Sequence, residues 1–336
     1  MAGVTFTYIG GVNDDLFGKS LAPIQMLIEK RGEAFEQESA IGKLFQMGKD
    51  TSWGGKIVTM TAMDGFQPVG EMGPHPTDSI QEGFSKTYEH EVWKDRFSIS
   101  QVALEDGRLM DFKSKPIQFI TGYNRTRERF GVGLFGTAIA GNASLAFKGR
   151  NYDAKTADGQ NLFSKTHPGF ITKANQSNLF ADEFSNDALM AAETAMQNFA
   201  DDNGNILDVA PDTIVIPNDY ALKKAVFSAI GADKDPATAN NGFNYNFGRW
   251  NIMILAELTK YVANGVKPWM LISSEFNEDY CGAFWRDRVG LEVRSRIDYD
   301  SDARVWEGRA RFTAGFNDWR FACVGGISGG TQLISE

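Results

Sequence analysis

Two strand-like stretches separated by a long glycine- and proline-rich segment constrain this chain more than any other feature. The first stretch reads GGKIVTMTAM, and the second, FSKTYEHEVWKDRFSIS, is rich in β-branched and aromatic residues. Between them, residues 64–83 carry four glycines and three prolines, a composition typical of a loop. Two isolated strands are marginally stable in water. The sequence therefore predicts an extended β-hairpin over residues 53–102 that must pack against something else.

A long helical pattern follows, from about residue 115 to residue 139. Pro116 suits the first turn of a helix, and the apolar positions recur at helical spacings: Ile117, Ile120, Tyr123, Phe130, Leu134 and Phe135. The glycines of GVGLFG, at 131–136, are spaced like those of a dinucleotide-binding loop, but they lie inside the helical pattern instead of after a strand. We therefore expect these glycines to serve helix packing, and we expect no dinucleotide site.

Helical and strand patterns also flank this helix. Residues 1–20 lack periodicity and predict an extended arm, whereas residues 22–49 predict two short helices or one broken helix. Further along, Ser185 or Asn186 can cap a helix, and Pro217 and Asn218 can stop a buried strand and cap the next helix. The remaining segments read as strands: DTIVIP, NIMILAEL, WMLISS, GLEVRSRIDYD, ARVWEGRARFTAGF and DWRFACVGGI. The order predicts a mixed α+β fold.

Composition excludes several function classes. The chain carries a net charge of −9 and no dense basic cluster, so tight nucleic-acid binding is not expected. No apolar run is long enough for a membrane helix, and the start lacks a secretory signal, which predicts a cytoplasmic protein without a membrane partner. Three arginines, Arg125, Arg127 and Arg129, alternate in YNRTRERF and predict a solvated or interface face. Cys281 and Cys323 are expected to be unpaired thiols.

Residues that could carry chemistry are few. Ser164 and His167 are three residues apart, but no nucleophile signature surrounds them, so we expect a turn there and no catalytic pair. The acidic run Asp298, Asp300 and Asp302 departs from a calcium loop at its later positions and predicts a solvated hairpin turn. The three histidines, His75, His90 and His167, lack the paired spacing of a zinc site, and His75 is expected to be exposed. The sequence thus predicts no enzyme, no cofactor and no metal.

Several motifs, in one order, carry a resemblance to a known family. DGQNLFSKTHP is followed by DALMAAETAMQNFADDNG, by PDTIVIPNDYALKKAVFSAI and, near the end, by FNDWRFACVGGIS. This series resembles the major head (capsid) proteins of tailed bacteriophages, and within them the Mu-like head-subunit family. The similarity is firmest over residues 157–230 and rests on the order of elements before residue 110.

The resemblance implies the Hong Kong 97 capsid fold and its division into parts. An N-terminal arm would cover residues 1–52 and an extended loop residues 53–102. A peripheral domain with the long spine helix and an α/β central (axial) domain would follow. Their ranges would be 103–175 with 282–315 for the peripheral domain, and 176–281 with 316–336 for the central domain.

The resemblance also implies a function. Subunits of such proteins form pentamers and hexamers that close into an icosahedral head around double-stranded DNA, and arm and extended loop clamp neighbouring copies. The expected subunit interface therefore comprises apolar residues of these two projections: Phe66, Pro68, Val69, Met72 and Pro74 in the hairpin tip, and Phe17 and Leu21 in the arm. Expected partners are further copies of the chain, separate scaffold and portal proteins, decoration proteins, and packaged DNA through weak contact. The virion is the expected location after assembly in the host cytoplasm.

Three alternatives stay open from the sequence. A nanocompartment shell of the encapsulin type shares the fold and would enclose enzymes instead of DNA. A hydrolase would use Ser164 and His167. Another phage structural protein, such as a decoration protein or tail-tube subunit, would lack the long helix with its two-region layout. Cross-linking of neighbouring subunits is not supported, although Lys86 and Lys94 flank the hairpin.

Overall fold

A computed structural model of the protein describes residues 5–8, 39–60, 66, 68–75, 77, 82–100, 102, 109–231 and 244–334. The predicted interface residues Phe17 and Leu21 lie outside this part of the chain. The described strands are β1 (Thr5–Tyr8), β2 (Gln46–Lys49), β3 (Gly54–Met60), β4 (Glu82–Glu89), β5 (Glu91–Ser100), β6 (Ser144–Phe147), β7 (Arg150–Asp153), β8 (His167–Pro168), β9 (Asn175–Gln176), β10 (Thr213–Pro217), β11 (Asn251–Leu255), β12 (Trp269–Ile272), β13 (Ala283–Asp298), β14 (Ala303–Phe316) and β15 (Ala322–Gly325). The described α-helices are α1 (Ile41–Leu44), α2 (Leu109–Ile139), α3 (Asn186–Gln197), α4 (Tyr220–Ile230) and α5 (Ser274–Tyr280), and a 3-10 helix covers Ala256–Tyr261.

The chain divides into two units. The first unit comprises Met1–Gly55, Tyr88–Gly131 and Trp285–Ala314. The second unit comprises Lys56–Thr87, Val132–Phe284 and Gly315–Glu336. Each unit is built on its own β-sheet.

A five-stranded sheet forms the first unit. Its order is β1-β13-β14-β5, and β2 also pairs with β13. Helix α2 packs on one face, where Phe119 and Ile120 join a buried cluster that is completed by Ile99, Leu291, Val293 and Trp306. Gly308 is required in this face, because a Cβ there would lie 2.4 Å from the Phe119 ring. Burial of this apolar surface is the main stabilising contribution to the unit.

An aromatic cluster in the first unit encloses one arginine. Trp285 stacks on Phe312 with ring centroids 5.1 Å apart, and the Arg127 guanidinium lies 5.1 Å from the Trp285 ring and bonds Asp287 at 3.0 Å. The prediction of a solvated or interface face for YNRTRERF is therefore wrong at Arg127, although Arg125 and Arg129 are exposed. Alternating charges do not reveal that the middle residue faces aromatic rings.

A four-stranded sheet forms the centre of the second unit, in the order β11-β10-β12-β15. Strand β10 is parallel to β11 and antiparallel to β12. The expected cap of α3 is confirmed, since Ser185 Oγ accepts a hydrogen bond from the Ala188 amide at 3.0 Å. The cap of α4 is Asp219 and not the predicted Asn218. The predicted cap is off by one residue. Asn and Asp side chains both carry an oxygen that can accept the capping hydrogen bond, so the sequence does not distinguish the two positions.

The long helix is confirmed, but it starts earlier than predicted. Helix α2 begins at Leu109, so Pro116 lies inside the helix and not in its first turn. The packing role of its glycines is also confirmed. A Cβ at Gly131 would contact Phe45 and Trp285, and a Cβ at Gly136 would lie 2.4 Å from the Tyr261 ring. Near the N-terminus, however, the helical interpretation fails after Leu44, because residues 46–49 form β2.

The extended hairpin is shorter than predicted, because its returning stretch forms two strands. Strands β3 and β4 pair with each other, whereas β5, which follows a break at His90, pairs with β14 over ten residues. The hairpin does rest on other residues, as expected. Phe84 packs edge-on against Phe170, and Lys86 bonds Asp153. Residue alternation predicts a strand but not its partner, which is why the break was missed.

Two smaller expectations concern the rest of the described chain. The acidic run forms a solvated turn between β13 and β14, in which Ser301 Oγ donates to the Asp298 carboxylate at 2.8 Å. This confirms the turn prediction. Among the described residues, no helix combines the length and the apolar composition that a membrane span requires.

Candidate subunit interface

The described residues of the hairpin tip expose apolar side chains. Phe66 and Met72 are almost completely exposed, and Val69 is 51% exposed. Pro68 and Pro74 are exposed as well. The structure therefore places all five predicted tip residues on one exposed segment. Large apolar side chains in this position are available to pack against another surface, and this arrangement is typical of interaction sites.

A second surface, which the sequence analysis missed, lies on the five-stranded sheet. Trp306 and Phe312 of β14 and Phe97 of β5 lie on the face that α2 covers. Side chains alternate along a strand, so the residues between them point to the opposite face. The part of this face formed by residues 94–96, 292–298 and 307–311 is called the arginine face below. It holds six basic residues and three carboxylates: Lys94, Arg96, Arg294, Arg296, Arg309 and Arg311, with Glu292, Asp298 and Glu307.

Ion pairs satisfy only part of the arginine face. Arg296 bonds Glu307 at 3.0 Å, and Glu292 lies 3.4 Å from Arg294 and 3.8 Å from Arg309. Three cations of the arginine face form no ion pair with a carboxylate of the described residues: Lys94, Arg96 and Arg311. A groove between β5, β14 and β13 is lined by four of the cations, Lys94, Arg96, Arg294 and Arg309. The face is suited to bind an acidic protein segment.

The base of the hairpin holds a compact polar cluster around Asp50. Its carboxylate accepts hydrogen bonds from Tyr88 Oη at 2.8 Å and from Ser52 Oγ at 2.9 Å, and His90 Nε2 lies 3.2 Å away. Burial alone would raise the pKa of Asp50, but these hydrogen bonds lower it below its ordinary value. Burial, together with the bond to Asp50, raises the pKa of Tyr88 to about 12. The carboxylate therefore stays ionised and the phenol neutral near pH 7.

The candidate catalytic pair does not form. His167 is fully buried and stacks on Trp319, with ring centroids 4.4 Å apart. Its Nδ1 lies 2.6 Å from Asp158 and its Nε2 lies 3.2 Å from Asn178 Oδ1. Ser164 Oγ instead accepts a hydrogen bond from the Thr166 amide. Because both ring nitrogens are engaged elsewhere, His167 is not placed to activate Ser164, and its role is to join buried segments and not to shape a surface turn.

The other candidate residues also occupy structural positions. His75 is exposed as predicted, whereas His90 is buried. No group of three or more histidine, cysteine or acidic side chains within the described ranges is arranged to hold a metal ion. Neither Cys281 nor Cys323 forms a disulfide, and burial raises the pKa of Cys323.

Comparisons with known proteins agree with a structural role. A family model described as phage capsid protein matches residues 83–325. The chain belongs to this phage capsid family. A solved structure from Mycobacterium phage Patience has 13% identity and a TM-score of 0.51, covering 99% of this chain and 96% of that chain. The capsid structure of the cyanophage P-SCSP1u has 9% identity and a TM-score of 0.54, covering 88% and 89%. No curated protein sequence matches significantly.

Membership of the family, together with this shared α+β fold, identifies a major capsid protein of a tailed phage. The alternative of an encapsulin-type shell is not favoured. A capsid protein acts through its contacts with other subunits. The exposed hairpin tip and the arginine face are therefore the candidate surfaces for such contacts.

Proposed function

We propose that this capsid protein has the Hong Kong 97-type fold and assembles into pentamers and hexamers that close into an icosahedral head around double-stranded DNA. Helix α2 would be the spine helix of the peripheral domain, and β3, β4 and the segment between them would be the extended loop. The arm and the central domain would have the ranges expected from the sequence. The protein would belong to the Mu-like head-subunit family. It would assemble in the host cytoplasm with separate scaffold, portal and decoration proteins, act without catalysis, and contact packaged DNA only weakly.

The observation that carries this proposal is the exposed apolar tip of the hairpin. Phe66, Val69 and Met72 face solvent in the single chain. Burying a large apolar side chain contributes about 1.5–3 kcal/mol, so three such residues favour association if a second copy covers them. Contacts of this kind recur at every subunit of a shell, and obligate interfaces can bury more than ~2,000 Å² each.

Electron microscopy of the purified protein tests this proposal. We expect the wild-type protein to form closed shells, and a Phe66→Ser/Met72→Ser variant to remain as unassembled subunits or capsomers, because its tip loses the apolar side chains. The Ile171→Ser/Ile206→Ser variant is the matched control, since both residues are exposed outside the two projections. Wild-type protein that stays monomeric at high concentration, or a tip variant that forms normal shells, would contradict the proposal.

Charge supports one specific contact between copies. Residues 57–85 of the hairpin contain Asp64, Glu71, Asp78 and Glu82 and no lysine or arginine. The arginine face has an excess of three positive charges, and three of its cations form no ion pair with a described carboxylate. We infer that the hairpin of one copy binds the arginine face of its neighbour. Such complementarity favours the correct pairing of surfaces and weakens as salt rises.

A charge exchange tests this contact. Lys94→Glu/Arg96→Glu should abolish shell formation, because it places carboxylates opposite the acidic hairpin. Adding Glu71→Lys/Glu82→Lys to the same chain should restore shells. The control Lys148→Glu/Lys165→Glu makes an equal change of charge at exposed positions outside the arginine face. Normal assembly of the first variant, failure of the combined variant to recover, or an equal loss in the control would each refute the pairing.

A further inference from the structure

Both strands of the hairpin leave the five-stranded sheet at the same place. Strand β2 continues through Asp50 into β3, and β4 continues through His90 into β5. The Asp50 amide donates to the Asp287 carbonyl of β13 at 3.0 Å, and the His90 amide donates to the Trp53 carbonyl at 3.2 Å. Asp50 is therefore attached through its backbone to the sheet at the point where the hairpin begins.

The Asp50 side chain connects this point to the other strand of the hairpin. Tyr88, near the end of β4, and His90, directly after it, both bond Asp50 Oδ2. Ser52 bonds Oδ1 through its amide and its hydroxyl, which orients the carboxylate. The His90 side chain is inaccessible to solvent and that of Asp50 is 17% exposed. Hydrogen bonds to an ionised, largely buried acceptor are stronger than those between neutral groups.

Glycines in β3 make room for this arrangement. A Cβ at Gly55 would lie 2.5 Å from Tyr88 Oη and 2.7 Å from Cζ. The Tyr88 hydroxyl reaches Asp50 in this position only because residue 55 has no side chain.

We propose that Asp50, Tyr88 and His90 form a latch that holds the start of β3 and the end of β4 together at the base of the hairpin. The importance of this fixed base rests on the proposed function, because a hairpin that binds a neighbour must keep its two strands in register. Hydrogen bonds from side chains and from a backbone amide hold the latch, and all of them end on the Asp50 carboxylate. A small change at its centre therefore frees the base of the hairpin without disturbing the apolar core around α2.

Hydrogen exchange of the unassembled subunit tests the latch directly. Tyr88→Phe removes one hydroxyl and keeps the ring, so the fold should persist with a similar thermal midpoint. Exchange of the Asp50 and His90 amides should accelerate roughly tenfold, because one bond to a buried charge is lost. Closed shells should be replaced by open or irregular particles in electron micrographs. Tyr299→Phe, at an exposed tyrosine in the β13–β14 turn, is the matched control and should behave as wild type.

A steric variant provides an independent test. Gly55→Ala should displace the Tyr88 hydroxyl and produce the same changes, whereas Gly42→Ala, where no atom lies within 4 Å, should not. Unchanged exchange in both Tyr88→Phe and Gly55→Ala would overturn the latch, as would faster exchange combined with normal shells. If the wild-type protein formed no shells, the proposed function would fail. The exchange rates alone would then decide whether the latch exists.

Discussion

Asp287→Ala is expected to lower the free energy of unfolding by about 3–5 kcal/mol, because it leaves the Arg127 charge without its partner in a mostly dry site. The side chains of Arg127 and Asp287 are 11% and 7% exposed. Asp287 also accepts a hydrogen bond from Trp285 Nε1 at 3.0 Å, so the same substitution leaves the indole unpaired. The loss is therefore larger than that of a single hydrogen bond.

The surrounding aromatic rings do not replace the lost carboxylate. Arg127 lies 5.1–5.7 Å from the centroids of Trp285, Phe312 and Tyr123. Cation–π attraction contributes only about 0.5–2 kcal/mol, which is less than the cost of burying an unpaired guanidinium. Trp285 is part of this cluster, so tryptophan fluorescence during urea unfolding of unassembled subunits measures the effect.

An exposed ion pair on the same sheet is the control for Asp287→Ala. Glu307→Ala removes the partner of Arg296, whose side chain is 48% exposed, and should lower the free energy of unfolding far less than Asp287→Ala does, because solvent screens the pair. The double substitution Arg127→Met/Asp287→Leu should be more stable than Asp287→Ala, because it removes the buried charge together with its partner. Equal losses of unfolding free energy in Asp287→Ala and Glu307→Ala would show that the buried ion pair stabilises the protein no more than the exposed one.

Asp158→Ala is expected to have the second large effect, a loss of at least about 3 kcal/mol in the second unit. The Asp158 carboxylate bonds His167 Nδ1 at 2.6 Å, the Thr156 hydroxyl, and the Gln160 amide at 3.0 Å. His167 is held on its other side by Asn178, which also bonds the Ala322 carbonyl of β15 at 3.0 Å. Removing the carboxylate leaves buried donors unsatisfied at a point where distant segments meet.

Acid provides a second measure of the Asp158 substitution. Burial would raise the pKa of Asp158, but the hydrogen bonds to His167 and its neighbours lower it below the ordinary value of 3.8. A lowered pKa in the folded state stabilises the protein above the unfolded value, and this contribution is lost as pH falls below 3.8 through the folded-state pKa. The difference in stability between wild type and Asp158→Ala should therefore narrow in acid.

The control for Asp158→Ala is Asp300→Ala, an acidic residue in the exposed turn between β13 and β14. We expect Asp300→Ala to change stability by no more than about 0.5 kcal/mol. Urea unfolding at pH 7 and at several values below pH 4 measures both variants. A loss in Asp158→Ala that did not vary with pH would argue against an ionised carboxylate as the source of the effect.

Local patterns identified most helices and strands correctly. The apolar spacing of α2, the Ser185 cap of α3 and the buried strand at 213–217 all depend on interactions within a few residues. The family resemblance, which rested on the order of short motifs in the second half of the chain, is confirmed for the phage capsid family over residues 83–325. The Mu-like assignment, the domain boundaries and the interface residues stay predictions.

The sequence predicted one of the two candidate interaction surfaces and not the other. The exposed tip was predictable, because glycine, proline and isolated apolar residues mark a long loop. The arginine face was missed, although Arg294, Arg296, Arg309 and Arg311 alternate on β13 and β14. Period-two spacing of arginines was the available signal. These arginines form a continuous basic surface only because β5 pairs with β14 and places Lys94 beside them.

The sequence by itself determined where most strands, helices and turns occur, because these properties follow from side-chain periodicity and backbone preference. Only the tertiary structure decided which strands pair, that His90 separates the hairpin from the sheet, and that Arg127 and His167 are buried. Those outcomes depend on contacts between residues far apart in the chain. The alternation of side chains along a strand shows which residues share a face. Whether a charged residue on that face is exposed or buried depends on which other element packs against it.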